Sequence, residues 1–237
     1  MSDRKIDVSL RYNDGDYLSK NHTWHIEDSP WKASKIHKII SQNNINPKTI
    51  CEIGCGAGEI LKQLSNMDAF STTKFSGYEV SSDAFNLCKD RETERVKFYL
   101  KDLLVEDVYF DIALCIDVFE HVEDYMGFIR NFKSKAEYKI FHVPLDLSIS
   151  SLLRNRLLKG RESIGHLHYF TPDTALETIK DCNYEIIDVA YTPWFLDLPS
   201  QTLKAKISKL PRLLIYKYSP KLLSTLFGGC SLLVLAK

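Results

Sequence analysis

Thr49-Ile50-Cys51-Glu52-Ile53-Gly54-Cys55-Gly56-Ala57-Gly58-Glu59-Ile60 is the stretch whose reading decides the fold. Its first five residues form a β-rich run, and three glycines alternating with small residues follow. Ile60, Leu61 and Leu64 then recur at helical spacing. The pattern is strand, tight glycine turn, helix. Glycine is required where a backbone turns sharply or approaches a ligand closely, because a Cβ would clash. The helix start behind the turn offers unpaired N–H groups and the positive end of its dipole. Such a loop cradles a small ligand at the carboxyl end of a parallel strand, the usual site in an open α/β sheet.

Working outward, the 237 residues suffice for one sizeable α/β domain. An apolar content of 44% and a charged content of 26% are those of an ordinary globular protein. Thirty-one basic and 31 acidic residues balance to zero, so no basic field points to nucleic acid. The N-terminus is polar and lacks the apolar core of a signal peptide. No segment reaches the ~20 apolar residues of a membrane span. The six cysteines include no C-x-x-C pair, so reduced thiols in a cytoplasmic protein are expected and no metal site is predicted.

Residues 1–30 are polar and aromatic, with Tyr12, Tyr17, Trp24 and His25, and read as an N-terminal arm or a flap over the substrate side. Residues 31–237 read as the main domain, with insertions at about 146–165 and 195–227. Ser29-Pro30 predicts a helix start with a capping serine, and Ala33, Ile36, Ile39 and Ile40 form its buried stripe. Further strands are expected at 75–80, 96–101, 110–117, 138–144, 184–191 and 228–236. The fourth of the chain's strands, Phe110-Asp111-Ile112-Ala113-Leu114-Cys115-Ile116-Asp117, is near-continuously apolar, as a central parallel strand should be. It runs into Val118-Phe119-Glu120-His121-Val122-Glu123-Asp124. Further on comes His166-Leu167-His168-Tyr169-Phe170-Thr171-Pro172, whose end is another helix start. The basic, leucine-rich stretch 203–226 reads as a lid, a homodimer face or a membrane-surface patch, with a packed surface helix as the plainer alternative.

The spacing from Gly54 is G-x-G-x-G, with Glu59 where a dinucleotide fingerprint needs glycine and Glu52 two residues before the first glycine. This motif, the acid Glu79 at the end of the second strand, Asp102 after the third, the string Asp-Val-Phe-Glu-His at 117–121 and the His-x-x-x-Phe-Thr string at 166–171 together resemble the class I S-adenosylmethionine-dependent methyltransferases. More narrowly, they resemble a small-molecule branch carrying Asp-x-x-Glu-His after the fourth strand. The resemblance implies a Rossmann-like, doubly wound α/β fold with seven strands in the order 3-2-1-4-5-7-6, the last antiparallel. It implies S-adenosyl-L-methionine as cofactor. Gly54, Cys55, Gly56 and Gly58 would let the backbone approach it, and Glu52 would orient its aminoacyl end. Glu79 and the neighbouring Val80 would hold the ribose side, Asp102 and Leu103 the adenine, and Asp117, through its backbone or its side chain, the methionine amino group.

If the acceptor is a hydroxyl, a base must take its proton, and histidine is the side chain best tuned for that near neutrality. His121 is the first candidate, followed by His168 and His166; each is equally readable as a histidine in a structural hydrogen-bond network. The function expected is methyl transfer to a small-molecule acceptor, O-directed, with a sugar or phosphorylated compound suggested by Arg154, Arg156 and Arg161. The alternatives are a nicotinamide-dependent oxidoreductase, against which Glu59 counts, and a cofactor-binding protein without turnover.

Overall fold

The computed structural model describes residues 23–24, 26–198 and 203–237, the backbone alone for 203–208. Seven strands form one sheet in the order β3-β2-β1-β4-β5-β7-β6. They are β1 (Thr49–Ile53), β2 (Lys74–Glu79), β3 (Val96–Leu100), β4 (Phe110–Ile116), β5 (Ala136–Pro144), β6 (Ile186–Thr192) and β7 (Ser231–Ala236). β1 through β5 pair in parallel, while β7 is antiparallel to both neighbours. The expected strands are all present, with ends moved by up to three residues. β7 starts at Ser231 because Gly228 and Gly229, both at positive φ, make the turn before it.

Alternation along the strands sends side chains to two apolar layers. On β4, Ala113 and Cys115 face one layer, while Ile112, Leu114 and Ile116 face the other. The second layer is covered by α1 (Ser29–Gln42), through Ala33, Ile36, Ile39 and Ile40, and by α2 (Glu59–Ser65), through Leu61 and Leu64. α3 (Ser82–Cys88) adds Cys88 there, and Ser81 caps it by accepting from the Ala84 N–H. The first layer is covered by α4 (Tyr125–Phe132), α7 (Pro172–Asp181) and α10 (Pro220–Phe227). The smaller helices α5 (Ile149–Leu153) and α6 (Arg156–Ser163) occupy the first insertion. The second insertion holds α8 (Trp194–Asp197), α9 (Leu203–Tyr218) and α10.

Two local expectations are corrected. Asp28, not Ser29, stands at the cap of α1, and neither caps through its side chain: Asp28 turns to Lys32 at 3.0 Å instead. The stretch 203–226 is two helices broken at Ser219-Pro220, where Ser219 accepts from the Leu222 N–H. Among the described residues, no helix is long and apolar enough to cross a membrane. Tyr12, Tyr17 and His25 lie outside the described residues.

Strand order reverses between β1 and β4, so their carboxyl ends diverge and leave a crevice there. The glycine turn leaves β1 on one side of that crevice, and the 117–121 turn leaves β4 on the other.

Candidate active site

A cavity of about 410 Å³ opens at this switch point. Its floor is Glu52, Gly54, Cys55, Gly56 and Ala57 from β1 and its turn, with Ile116 and Asp117 from β4. Trp24, Ile26 and α1 form one wall; His121, His142 and His166 form another; Trp194 and Leu198 stand at the edge. The chain has three tryptophans, Trp24, Trp31 and Trp194, and all three line this cavity. The floor glycines leave no room for side chains. A Cβ on Gly56 would stand 2.7 Å from the Trp24 indole, so this stretch of the N-terminal region lies directly on the loop.

Glu79 clamps the turn from beneath. One of its oxygens accepts from the Gly56 N–H at 2.8 Å, and the other accepts from Val80 and Ser81 N–H, each at 2.8 Å. Burial pushes the Glu79 carboxyl up, against the pull of those three bonds. A carboxylate offers about four acceptor sites, so three bonds leave room for another donor. Val80 beside it is 63% exposed. Asp102 accepts from the Leu104 N–H, and Leu103 is fully buried. Gly58, Glu79, Val80, Asp102 and Leu103 do not line the cavity itself; they lie toward β2 and β3.

Glu52 lies on the Ile50 face of β1, beneath α1. It is 2% exposed, and its Oε2 meets no hydrogen-bond donor among the described residues. Burial drives its carboxyl well above the usual range. A buried, unsatisfied carboxylate at a cavity floor suits a cationic group of a ligand.

Asp117 follows β4 and lines the cavity, with its side chain held by two neighbours. It sits at φ +53°, a strained value for a residue with a side chain. Its carboxylate accepts from Lys32 Nζ at 2.8 Å and from His142 Nδ1 at 2.6 Å. The side chain is therefore already committed, and the backbone at Asp117, which lines the cavity, is what remains to meet the methionine amino group. Thr192 contacts the other ring nitrogen of His142 at 2.9 Å. Burial would raise the Asp117 pKa, but His142 and Lys32 outweigh it and hold it well below the usual carboxylate range. Burial would likewise lower Lys32, but Asp117 and Asp28 outweigh it and raise it. A depressed carboxylate pKa gives stability that is complete above its unfolded value, about 3.9, and is lost as pH falls through the folded one. In urea titrations, wild type is accordingly expected to lose more stability than Asp117→Asn between about pH 6 and 3. Equal losses would show that the pair is not stabilising.

The histidines divide. His121 and His166 meet at the cavity wall, with ring centroids 4.8 Å apart. His168 does not reach the cavity: its Nε2 binds the Val122 carbonyl at 2.9 Å and its ring packs on Tyr125. That is a structural role. Arg154, Arg156 and Arg161 do not line this cavity, whose charged lining is Asp28, Lys32, Glu52, Glu59 and Asp117; Arg156 lines a smaller neighbouring cavity that shares Ile164 and Trp194 with it. Glu120, His121 and His166 each place a possible ligand atom within 4.8 Å of the others. Sequence reasoning missed Lys32, His142, Trp31 and Trp194, whereas Trp24 was placed in an arm or flap over the substrate side. Only His142 left a signal, as a polar residue inside the apolar run Ile140-Phe141-His142-Val143.

Comparison with known proteins agrees with this geometry. A family model described as a methyltransferase domain matches residues 24–189. A ubiquinone biosynthesis O-methyltransferase of Rickettsia bellii is 31% identical over 108 residues, which are 44% of this chain and 44% of that protein. The chain thus matches less than half the length of this curated relative. Magnesium protoporphyrin IX methyltransferase of Synechocystis PCC 6803, solved with bound SAH (S-adenosylhomocysteine), superposes with a TM-score of 0.64 at 14% identity, covering 97% of this chain and 99% of that one. The plantazolicin methyltransferase BpumL, solved with an analogue of its substrate and SAH, superposes at 0.62 with 13% identity, covering 97% and 92%. A family model spanning most of the chain, laid over this strand order and this glycine turn, makes the protein a member of the methyltransferase domain family, whose cofactor is S-adenosylmethionine.

Proposed function

We propose that the protein methylates a hydroxyl of a small, planar, uncharged acceptor. The observation that carries this reading is the composition of the cavity: three tryptophans and two meeting histidines share one space with the glycine turn. Indole faces bind a flat ring through stacking and apolar burial. Among the described residues, the one lysine or arginine in the wall, Lys32, is held by Asp28 and Asp117, which leaves no cation for a phosphate. The oxygen acceptor named for the Rickettsia relative supports the same choice.

The residues present fit the cofactor. Glu52 offers an unsatisfied buried carboxylate to its ammonium, and the glycine turn brings bare backbone alongside. Glu79 takes the ribose, and the rim at Val80, Asp102 and Leu103 takes the adenine. Bound S-adenosylmethionine supplies an electrophilic methyl group on a sulfonium, which leaves as a neutral thioether when the acceptor oxygen forms its bond to carbon. The protein's own contribution is to align the acceptor, since positioning alone can supply about 7–11 kcal/mol. The hydroxyl proton has to be released at the wall of His121 and His166.

The test is a panel of neutral phenols, phosphorylated sugars and amines incubated with S-adenosylmethionine, with products read by mass spectrometry. Methyl ethers from the neutral planar hydroxyls are expected. Trp194→Ala, which removes a half-exposed indole from the cavity edge, is expected to raise the acceptor KM about tenfold, about 1.4 kcal/mol, with little change in kcat. Turnover only on phosphorylated acceptors would overturn the reading.

A further inference from the structure

Beside the main cavity lies a second one of about 140 Å³. Ile164 and Trp194 line both and so form the partition between them. Among the described residues, the polar side chains of the second cavity are Asp146, Ser151, Arg156 and Tyr169. Three of them are committed. Asp146 meets His166 Nδ1 at 2.6 Å, Ser151 meets the Ser148 hydroxyl at 2.9 Å, and the Tyr169 hydroxyl donates to the Leu157 carbonyl at 2.9 Å. Arg156 is the exception: among the described residues, no hydrogen bond or ion pair holds its guanidinium.

Arg156 does not stand alone. Arg154 precedes it across Asn155, which sits at φ +51° in the sharp turn between α5 and α6. Arg212 arrives from α9, and its guanidinium lies 4.9 Å from the Phe195 ring centroid and 5.8 Å from that of Phe227, itself a wall of the second cavity. Its hydrogen-bond acceptor is the Phe227 carbonyl at 3.3 Å. Burial lowers the Arg212 pKa, Arg156 and Arg154 lower it further, and Cys230 pulls the other way. Both arginines thus stand near enough to Arg212 to repel it. Among the described residues, no carboxylate pairs with any of the three. Like charges gathered against their own repulsion lack the anion that would offset it. Guanidinium forks suit phosphate oxygens, which they can hold in pairs.

We propose that Arg154, Arg156 and Arg212 form a binding site, at the second cavity, for a small soluble ligand with a phosphate-type anionic group. This ligand is distinct from the acceptor. The acceptor cavity lies on the other side of Ile164 and Trp194, and Lys32 there is already held by Asp28 and Asp117. Because Ile164 and Trp194 are common walls, a ligand drawn in on one side steadies the surface against which the acceptor packs on the other. That coupling, unlike the site, rests on the methyl-transfer reading.

The test is calorimetry of the full chain with inorganic diphosphate in a low-chloride buffer. One ion per chain is expected, with an affinity that falls as salt is added. Arg156→Gln and Arg212→Gln should each weaken binding about tenfold or more. Arg212→Lys keeps the charge and the stem but not the fork, and should fall between wild type and Arg212→Gln. Lys180→Gln removes an equal charge from an exposed pair with Glu177 on α7 and should change nothing. Thermal unfolding of each variant reports an intact fold. With an acceptor in hand, saturating diphosphate should lower its KM severalfold and leave kcat unchanged. Absence of diphosphate binding, or equal affinity in wild type, Arg156→Gln and Arg212→Gln, overturns the proposal. Competition between diphosphate and acceptor also overturns it, by making the arginines part of the acceptor site. Binding only to vesicles of anionic phospholipid does so too, by making them a membrane contact. Diphosphate binding by a chain that binds no S-adenosylhomocysteine would leave the site standing and remove the methyl-transfer reading.

Discussion

Replacing Glu79 with alanine is expected to weaken S-adenosylhomocysteine binding about a hundredfold, close to 2.7 kcal/mol. Two losses add. The carboxylate receives three main-chain N–H groups, from Gly56, Val80 and Ser81, all at 2.8 Å. Hydrogen bonds to a charged group contribute about 1.5–3 kcal/mol, and a buried N–H left without a partner costs about as much. Without that clamp, the Gly54–Gly58 turn is no longer tied to the end of β2. The second loss is the acceptor for a ribose hydroxyl. Calorimetry on wild type, Glu79→Ala and Glu79→Gln would separate them. Glutamine keeps one acceptor oxygen, enough for part of the clamp, and is expected to fall between the other two. An unchanged dissociation constant in Glu79→Ala would remove the residue from the cofactor site. Thermal unfolding of the same samples shows whether the turn is loosened without ligand.

The second large effect is on stability. Gly58→Val is expected to destabilise the fold by about 3–4 kcal/mol. Gly58 sits at φ +77°, where a side chain costs about 1–2 kcal/mol. A Cβ there would stand 2.5 Å from Cε1 and Cζ of Phe98 and 2.9 Å from Cβ of Cys88, and crowding of this kind costs about 1–3 kcal/mol. Phe98 and Cys88 are themselves buried, so neither can step aside cheaply. Gly160→Ala is the control. Gly160 lies within α6 with nothing within 4 Å of its added Cβ, and the change is expected to stabilise by up to about 1 kcal/mol. Urea unfolding curves for the two variants should move in opposite directions. A Gly58→Val midpoint equal to wild type would mean that the turn tolerates a side chain.

These two positions also show what could be read from the chain alone. The G-x-G-x-G spacing announced a turn that needs positive φ, and Gly54, Gly56 and Gly58 all have it. Their reasons differ in ways the spacing does not carry. Gly58 gives way to Phe98 from β3, and Gly56 gives way to Trp24 from the N-terminal stretch. Similarly, Glu79 was recognisable as an acid at a strand end, but not as the clamp on the neighbouring turn. The His-x-x-x-Phe-Thr string was visible as a motif, whereas the choice between its two histidines was not. Leu167 and His168 pair their N–H groups with the Glu120 carbonyl, which aims His166 into the cavity and sends His168 to Val122.

What the sequence determined by itself is local: strand alternation, apolar helix stripes, the Ser81 and Thr171 caps and the glycine turn. These follow from the covalent geometry of neighbouring residues and from burial of one face, so they need no knowledge of the rest of the chain. Element order then restricts the sheet to few topologies. What only the tertiary structure decided is which distant polar groups meet. Lys32 reaches Asp117 across the switch point, and His166 reaches His121 across an insertion. All three tryptophans converge on one cavity. Such meetings depend on packing angles and on main-chain bonds between segments far apart in the chain, and no spacing along the sequence encodes them.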